Sequence, residues 1–369
     1  VVIGGSMAGM LSAAVLSRYC RMVTVLERDR YPEGPAPRAG VPQAHHVHVL
    51  LSRGGRILER LFPGITLDLI SKGGSPLDSA RDFNWLTPCG YGPRFQCGYP
   101  VLAASRALID WAVLQRVRRL GNVNIVEDAT VAEIVAIERG SRVQTRGLNQ
   151  EQPLALHADL IVDATGRGSK TPDLLARLGF ERPEETVIDG KIGYASRLFR
   201  QSEGGLPGAR AAYSQAAPPA NCRTGIVFPV EGGLWHVSLA GGGGDYPPTD
   251  PDGFLEFARS LPNQDIYRVA RTSEPVSEIR GFRNAANRIR HYDRIRMPEG
   301  LIVTGDAACA FNPVYGQGMT TAAIGAEVLE RCLEQGKIHK FQRRLSEEMR
   351  TPWMLASSED VRYAGAVAG

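Results

Sequence analysis

The chain has 369 residues, of which 43% are apolar and 22% charged, and its formal net charge is +4. That length builds one large domain or two interlocked ones, and ordinary apolar content with little net charge excludes disorder as the main state. The 41 Gly and 24 Pro follow no three-residue period, six Cys are too sparse for a disulfide scaffold, and the small charge excludes a strong nucleic-acid footprint.

The basic residues are lopsided, with five Lys against 38 Arg. The guanidinium fork suits phosphate and carboxylate, although compositional bias accounts for most of the excess. Cys20, Cys89, Cys97, Cys222, Cys309 and Cys332 form no CxxC pair, so they read as reduced and mostly buried thiols. No apolar run approaches the ~20 residues that span a bilayer, and no signal peptide is visible. The expectation is a cytoplasmic protein. The chain opens in a strand without an initiator Met, which leaves room for a short leader.

In chain order, Val1–Ile3 reads as an apolar strand and Met7–Arg18 as a helix, with Met10, Leu11, Ala14 and Val15 at helical spacing. Met22–Leu26 is a second strand. Ser105–Leu120 is a helix striped by Leu108, Ile109, Ala112, Val113, Val117 and Leu120. Strands follow at Val123–Val126, Val131–Ile137 and Leu160–Val162. Ile192–Phe199, Gly225–Pro229 and Leu234–Leu239 alternate like an antiparallel sheet, with a hairpin turn at Val230–Gly233. Gly241–Pro248 is a loop, Leu301–Thr304 a strand and Met319–Glu334 a helix. No internal repeat is present. An α/β frame therefore carries a β-rich insert.

The turn between the first strand and helix is Gly4-Gly5-Ser6-Met7-Ala8-Gly9, a GxGxxG spacing. Gly4 permits the tight turn, small Ser6 lets a pyrophosphate approach, and Gly9 lets helix and strand pack closely. The helix start at Met7 and Ala8 offers free N–H groups and a positive dipole to phosphate. Glu27, with Arg28 beside it, ends the second strand, where a carboxylate accepts from both ribose hydroxyls. Strand, turn, helix and acid together point to an ADP-containing dinucleotide, without separating FAD from NAD.

The separation comes from Leu301–Asp306, a strand ending in Gly305-Asp306, followed by Pro313-Val314-Tyr315-Gly316-Gln317-Gly318-Met319. This segment resembles the Gly-Asp…Pro-x-x-Gly-x-Gly run of FAD monooxygenases of the p-hydroxybenzoate hydroxylase type. The resemblance implies that Asp306 meets the ribitol and pyrophosphate, that Pro313 packs beside the isoalloxazine, and that Gly318 and Met319 offer N–H groups to its O2 and N1 edge. A helix N-terminus suits the negative charge of a reduced flavin. Cys309 stands where many relatives carry His, and it reads as a small buried residue. By the same resemblance Arg106 meets the FAD phosphates, the backbone of Val131 meets the adenine, and Asp163 ends a strand near the dinucleotide.

The run Asp163-Ala164-Thr165-Gly166-Arg167-Gly168-Ser169 is closer to flavin epoxidases and halogenases than to hydroxylases that bind NADPH directly. It leaves open whether NAD(P)H or a partner flavin reductase supplies electrons. Arg38-Ala39-Gly40-Val41-Pro42-Gln43-Ala44-His45-His46-Val47-His48 resembles a run in bacterial polyether flavin epoxidases of the monensin and lasalocid type. It places Arg38, Val41 and Gln43 against the flavin, with Gln43 near the reacting face. No Cys or carboxylate joins the three His, so no metal site is expected. Ser105–Trp111, Tyr194–Phe199, Phe311–Gly316 and Trp353–Ser357 extend the resemblance over nearly the whole chain.

The resemblance implies an α/β fold with a Rossmann-like FAD-binding domain of glutathione reductase type, an inserted antiparallel β-sheet substrate domain and a C-terminal helical segment. The expected FAD domain comprises 1–75, 100–190 and 278–345, the substrate domain 76–99 and 191–277, and the helical segment 346–369. Tyr194, Phe199, Phe228 and Trp235 are candidate substrate-wall residues, each also at home in a core. The implied reaction is epoxidation of a large apolar polyketide or terpenoid alkene with O2, through a flavin C4a-hydroperoxide. A non-redox cyclase, an isoprenoid double-bond reductase and an aromatic hydroxylase are the alternatives. Trp235-His236-Val237 is not the Trp-x-Trp-x-Ile-Pro motif of flavin halogenases, and Lys is rare, which demotes halogenation. No protein nucleophile is expected.

Overall fold

The computed structural model describes residues 1–137, 140–147, 155–202, 205–283 and 285–369. The short apolar runs pair into one parallel sheet, ordered Leu301–Val303, Ile161–Asp163, Val2–Ile3, Val23–Leu26, Val123–Val126. Val2 lies between Val162 and Val25 in register. The chain thus leaves the central strand where connections diverge to either side, the crevice in which open α/β sheets bind ligands.

Helix α1 (Met7–Leu16) follows that strand, and nine of its ten residues are buried. Such a helix has no polar face to show because it is enclosed on all sides. It packs against α4 (Arg106–Arg118) and α8 (Gly318–Glu334). Ser105 caps α4 by accepting from the Leu108 N–H. Met22 is 74% exposed, so the second strand begins one residue later than its apolar run suggests.

The insert is a seven-stranded sheet ordered Arg280–Phe282, Gly193–Arg200, Leu234–Gly241, Arg223–Val230, Ala211–Ser214, Phe83–Thr87, Gly90–Tyr91. It is antiparallel except where Ala211–Ser214 runs parallel to Phe83–Thr87. Arg280–Phe282 joins this sheet just past the expected boundary at 277, because Tyr194 pairs with Phe282. One face is covered by α6 (Pro251–Arg259) and α7 (Gln264–Thr272), through Phe254, Phe257, Ile266 and Val269. The C-terminal segment differs from a purely helical one. Helix α9 (Phe341–Asp360) begins before 346, and Val367–Ala368 then pairs as a strand with Glu185–Asp189. Among the described residues no helix is long and apolar enough to cross a membrane.

Candidate functional site

Three turns meet at the carboxyl edge of the parallel sheet. In the first, Gly4 has φ +97° and a Cβ there would lie 2.5 Å from the Ala164 carbonyl oxygen. A Cβ on Gly9 would lie 1.8 Å from the Gly4 oxygen. These contacts are with backbone, so the turn requires glycine. Ser6 begins α1 without a side-chain cap, leaving the first helical N–H groups without intrahelical acceptors. Arg106, whose side chain is 8% exposed, donates from Nη2 to Ser6 Oγ at 3.1 Å and from Nε to Asp110 at 2.7 Å. A guanidinium and a bare helix start therefore face the same spot.

The second turn carries Asp163. Its carboxylate accepts from the Thr165 N–H at 2.9 Å, the Thr165 hydroxyl at 2.6 Å, the Thr171 hydroxyl at 2.6 Å and the Ser169 hydroxyl. All its acceptor capacity is used within the chain. Asp163 thus shapes the turn beside Gly4, at the strand end expected near the dinucleotide. Arg167 from this turn donates to the Ala286 and Phe311 carbonyls and reaches Asp306 at 4.0 Å.

The third turn follows Leu301–Val303. Gly305 has φ +60°, and a Cβ there would meet the Ala8 Cβ at 2.6 Å, so Asp306 is held against α1. Desolvation pushes the Asp306 carboxyl up, against the guanidiniums of Arg167, Arg106 and Arg288. Pro313–Tyr315 forms one 3-10 turn, Gly316 is left-handed at φ +62°, and α8 opens at Gly318 and Met319. Gln317 caps α8 by no side-chain bond, and its Oε1 is buried without a partner. A Cβ on Gly318 would meet nothing within 4 Å. A second helix start thus presents free donors, beside an unpaired acceptor and open space. Burial pushes the Cys309 thiol far up, in keeping with a packing role.

Glu27 is buried at the end of its strand. It accepts from the Gly5 N–H at 2.7 Å and the Asp29 N–H at 3.0 Å, and pairs with Arg38 at 2.9 Å. Arg38 also donates to the Gly5 carbonyl and stacks 4.8 Å over the Tyr31 ring. Arg38 therefore sits at the Glu27 end of the crevice, because the 29–44 segment folds back over Gly5. Val41 is buried and Gln43 half-buried on this segment. A solvent-open cleft of about 480 Å³ runs between it and α4, lined by Gly5, Tyr31, Arg38, Val41, Ala107 and Trp111. The Ala129 N–H donates to the Glu27 carbonyl, which brings the strand containing Val131 alongside. Arg28 is 67% exposed and, among the described residues, pairs with Asp29 alone, outside this cluster.

The insert's strands divide the four wall candidates. Tyr194 and Phe228 face the 45–51 segment, whereas Phe199 and Trp235 pack beneath α6 and α7. Residues 194 and 199 are an odd number apart on one strand, so they point to opposite faces. Phe199 and Trp235 are corrected to core. Tyr194 donates its hydroxyl to Asn312 Oδ1 and accepts from the Val314 N–H at 2.7 Å, joining the sheet to the third turn.

The face of Tyr194 also bears Ser196, His236 and Ser238, which aromatic content does not single out. Their period-two spacing from Tyr194 and from each other was the available signal. His46 Nδ1 lies 2.7 Å from Ser196 Oγ, and Ser196 bonds Ser238. His48 Nδ1 lies 2.9 Å from the His46 carbonyl, and His236 Nε2 lies 3.1 Å from that of His45. Among the described residues no group of three His, Cys, Asp or Glu is placed to hold a metal.

Burial pushes His46 to about 4, His48 to about 3 and His236 to about 4. The unfolded chain, with ordinary His near 6.5, therefore binds more protons than the native one from pH 6.5 downward. Their contribution to stability is complete above about pH 6.5 and is lost as pH falls toward 4 and 3. The melting temperature is expected to fall over that range. His46→Gln should flatten the slope, by at most about 1.4 kcal/mol per pH unit. An unchanged slope in urea titrations would contradict the neutral-imidazole assignment.

A family model described as FAD binding domain matches residues 1–335. Protein Rv3254 of Mycobacterium tuberculosis is 33% identical over 387 residues, covering all of this chain and 81% of that protein. PqsL of Pseudomonas aeruginosa, a probable FAD-dependent monooxygenase, superposes with TM-score 0.71 at 15% identity, covering 99% of this chain and 97% of that one. p-Nitrophenol 4-monooxygenase PnpA of Pseudomonas putida gives 0.70 at 19%, covering 98% and 87%. The myxobacterial chondrochloren halogenase CndH gives 0.72 at 18%, covering 96% and 80%.

Proposed function

The chain belongs to the family of FAD-binding domains and has the fold of FAD-dependent monooxygenases, and from that premise we propose that it is an FAD-dependent monooxygenase epoxidising alkenes of a large apolar natural-product intermediate. The observation that carries the reading is the junction of the inserted sheet with the start of α8 through Tyr194, Asn312 and Val314. It places a mixed aromatic and polar sheet face beside the turn that would meet the flavin ring.

The donor set fits FAD. Ser6, the first N–H groups of α1 and Arg106 would hold the phosphates, and Glu27 the ribose. The start of α8 would meet the flavin edge, where its N–H groups favour negative charge. FAD supplies the activation of O2 when bound, with electrons from NAD(P)H or a partner flavin reductase. The protein binds, orients and excludes water. The buried imidazoles are neutral at pH 7 and hold the sheet face in register. All five Lys are exposed, which supports oxygen transfer over a lysine-dependent halogenation. The resemblance of residues 38–48 to polyether epoxidases supports an alkene of polyketide or terpenoid type.

The test is incubation of the FAD-loaded chain with a candidate polyene, a flavin reductase, NADPH and labelled O2. The expected product gains one labelled oxygen. Turnover without O2 and reductant would instead make it a cyclase, and gain of two hydrogens a reductase.

A further inference from the structure

Helix α9 ends on Asp360, a carboxylate with no exposed surface, beyond the segment that the family model covers. Its Oδ2 accepts from Asn287 Nδ2 at 2.7 Å and from Asn312 Nδ2 at 3.2 Å, and its Oδ1 accepts from the Tyr315 hydroxyl. Asn287 Oδ1 in turn accepts from the Asn312 N–H at 2.7 Å. With its amide nitrogen committed to Asp360, Asn312 must aim Oδ1 the other way, at the Tyr194 hydroxyl and the Val314 N–H. One carboxylate thus sets both ends of the Asn312–Tyr315 segment and, through Asn312, the junction with the inserted sheet.

We propose that Asp360 is a positioning residue for the turn that opens α8, clamping that turn from the C-terminal helix so that its N–H groups stay aimed at the cofactor. The proposal rests on the reading that this turn meets the flavin.

The chemistry supports a clamp with an ionic component. Among the described residues Asp360 has no cationic partner within ion-pair distance. The charged groups that act on it most are acidic, Asp189 at the end of the Glu185–Asp189 strand and Glu359 on its own helix, and the phenols of Tyr315 on the turn, Tyr363 after α9 and Tyr194 beyond Asn312 lie around it. Burial raises its pKa to about 6, against the bonds from Tyr315 and Asn312. Ionised, it accepts all three bonds. Protonated, one oxygen becomes a donor and the clamp loses an acceptor. The buried imidazoles titrate lower, outside this window.

Two variants separate clamp from charge. Asp360→Asn keeps an acceptor toward the two Asn side chains and turns a donor toward Tyr315, whose hydroxyl also accepts. Asp360→Ala removes everything. Hydrogen exchange of residues 311–318 in the FAD-free chain should accelerate about tenfold or more in Asp360→Ala and stay near wild type in Asp360→Asn. FAD affinity of the wild type should strengthen about three- to tenfold between pH 5 and 7, and Asp360→Asn should lose that step. Glu347→Gln, more than three turns back on the same helix and exposed, should change neither.

Unchanged exchange in Asp360→Ala overturns the clamp without touching the flavin reading. If Asp360→Ala does not fold, the persistence of the pH step in Asp360→Asn overturns it. A wild-type chain that takes up no FAD overturns the flavin reading, whatever the exchange shows.

Discussion

Gly9→Val is expected to abolish FAD binding and to destabilise the chain. The new Cβ would stand 1.8 Å from the Gly4 carbonyl oxygen, 2.9 Å from its carbon and 3.3 Å from Val2 Cγ1. The first two are backbone of the turn itself and cannot rotate away. Helix α1 must therefore move off the central strand. It is buried on nearly all sides, against α4 and α8, so the displacement propagates into the main core. Overpacking of this kind costs about 1–3 kcal/mol. The larger loss is geometric, since the helix start no longer faces Arg106 and Asp306 together. FAD affinity should drop more than about 100-fold, equivalent to over about 2.7 kcal/mol. Flavin fluorescence quenching measures the first effect and thermal unfolding the second. Gly121→Ala is the control, because a Cβ there meets nothing within 4 Å and no left-handed φ is required. Retention of FAD affinity within threefold in Gly9→Val would remove the 4–9 turn from the site.

What the sequence makes legible is the part governed by local sterics. Gly4, Gly9, Gly305 and Gly316 each stand where backbone approaches backbone or φ is positive, and such demands are written in residue type. Arg106 was readable through the resemblance of the Ser105–Trp111 run, since a cation opening a helix could by itself equally be a solvated surface residue. The rest depends on long-range partners. The bonds that Ser169 and Thr171, six and eight residues on, make to Asp163 are not written in the strand that carries it. The partners of Arg38 are likewise long-range, because the 29–44 segment doubles back to Glu27 and Asp29. Phe199 and Trp235 show that aromatic content does not assign a strand face and that parity of spacing does. Asp360 lay beyond reach altogether. It is one acid on a charged helix, 48 residues from Asn312, and nothing local distinguishes it from half-buried Glu359.

Arg106→Met is expected to weaken FAD binding about 10- to 100-fold while leaving the fold intact. Methionine preserves most of the apolar stem, and the lost partner, Asp110, is 22% exposed and can be solvated. The stability change should therefore be small beside the binding change. The loss in affinity corresponds to about 1.5–3 kcal/mol, the range for a hydrogen bond to a charged group. Salt provides the second readout. A guanidinium meeting phosphate makes affinity fall with ionic strength, and the variant should show a shallower dependence. Arg106→Lys should lie between the two, because an ammonium restores charge without the planar fork that reaches Ser6 and a phosphate at once. The third readout is Asp306. Its carboxyl is raised by desolvation and restrained by Arg167, Arg106 and Arg288, so removing Arg106 must raise it further. A more readily protonated Asp306 becomes a donor, and the variant's affinity for an anionic cofactor should recover partly as pH falls. Equal salt slopes and equal pH profiles in Arg106→Met and wild type would place Arg106 outside the phosphate site, as a structural partner of Asp110 and Ser6 alone.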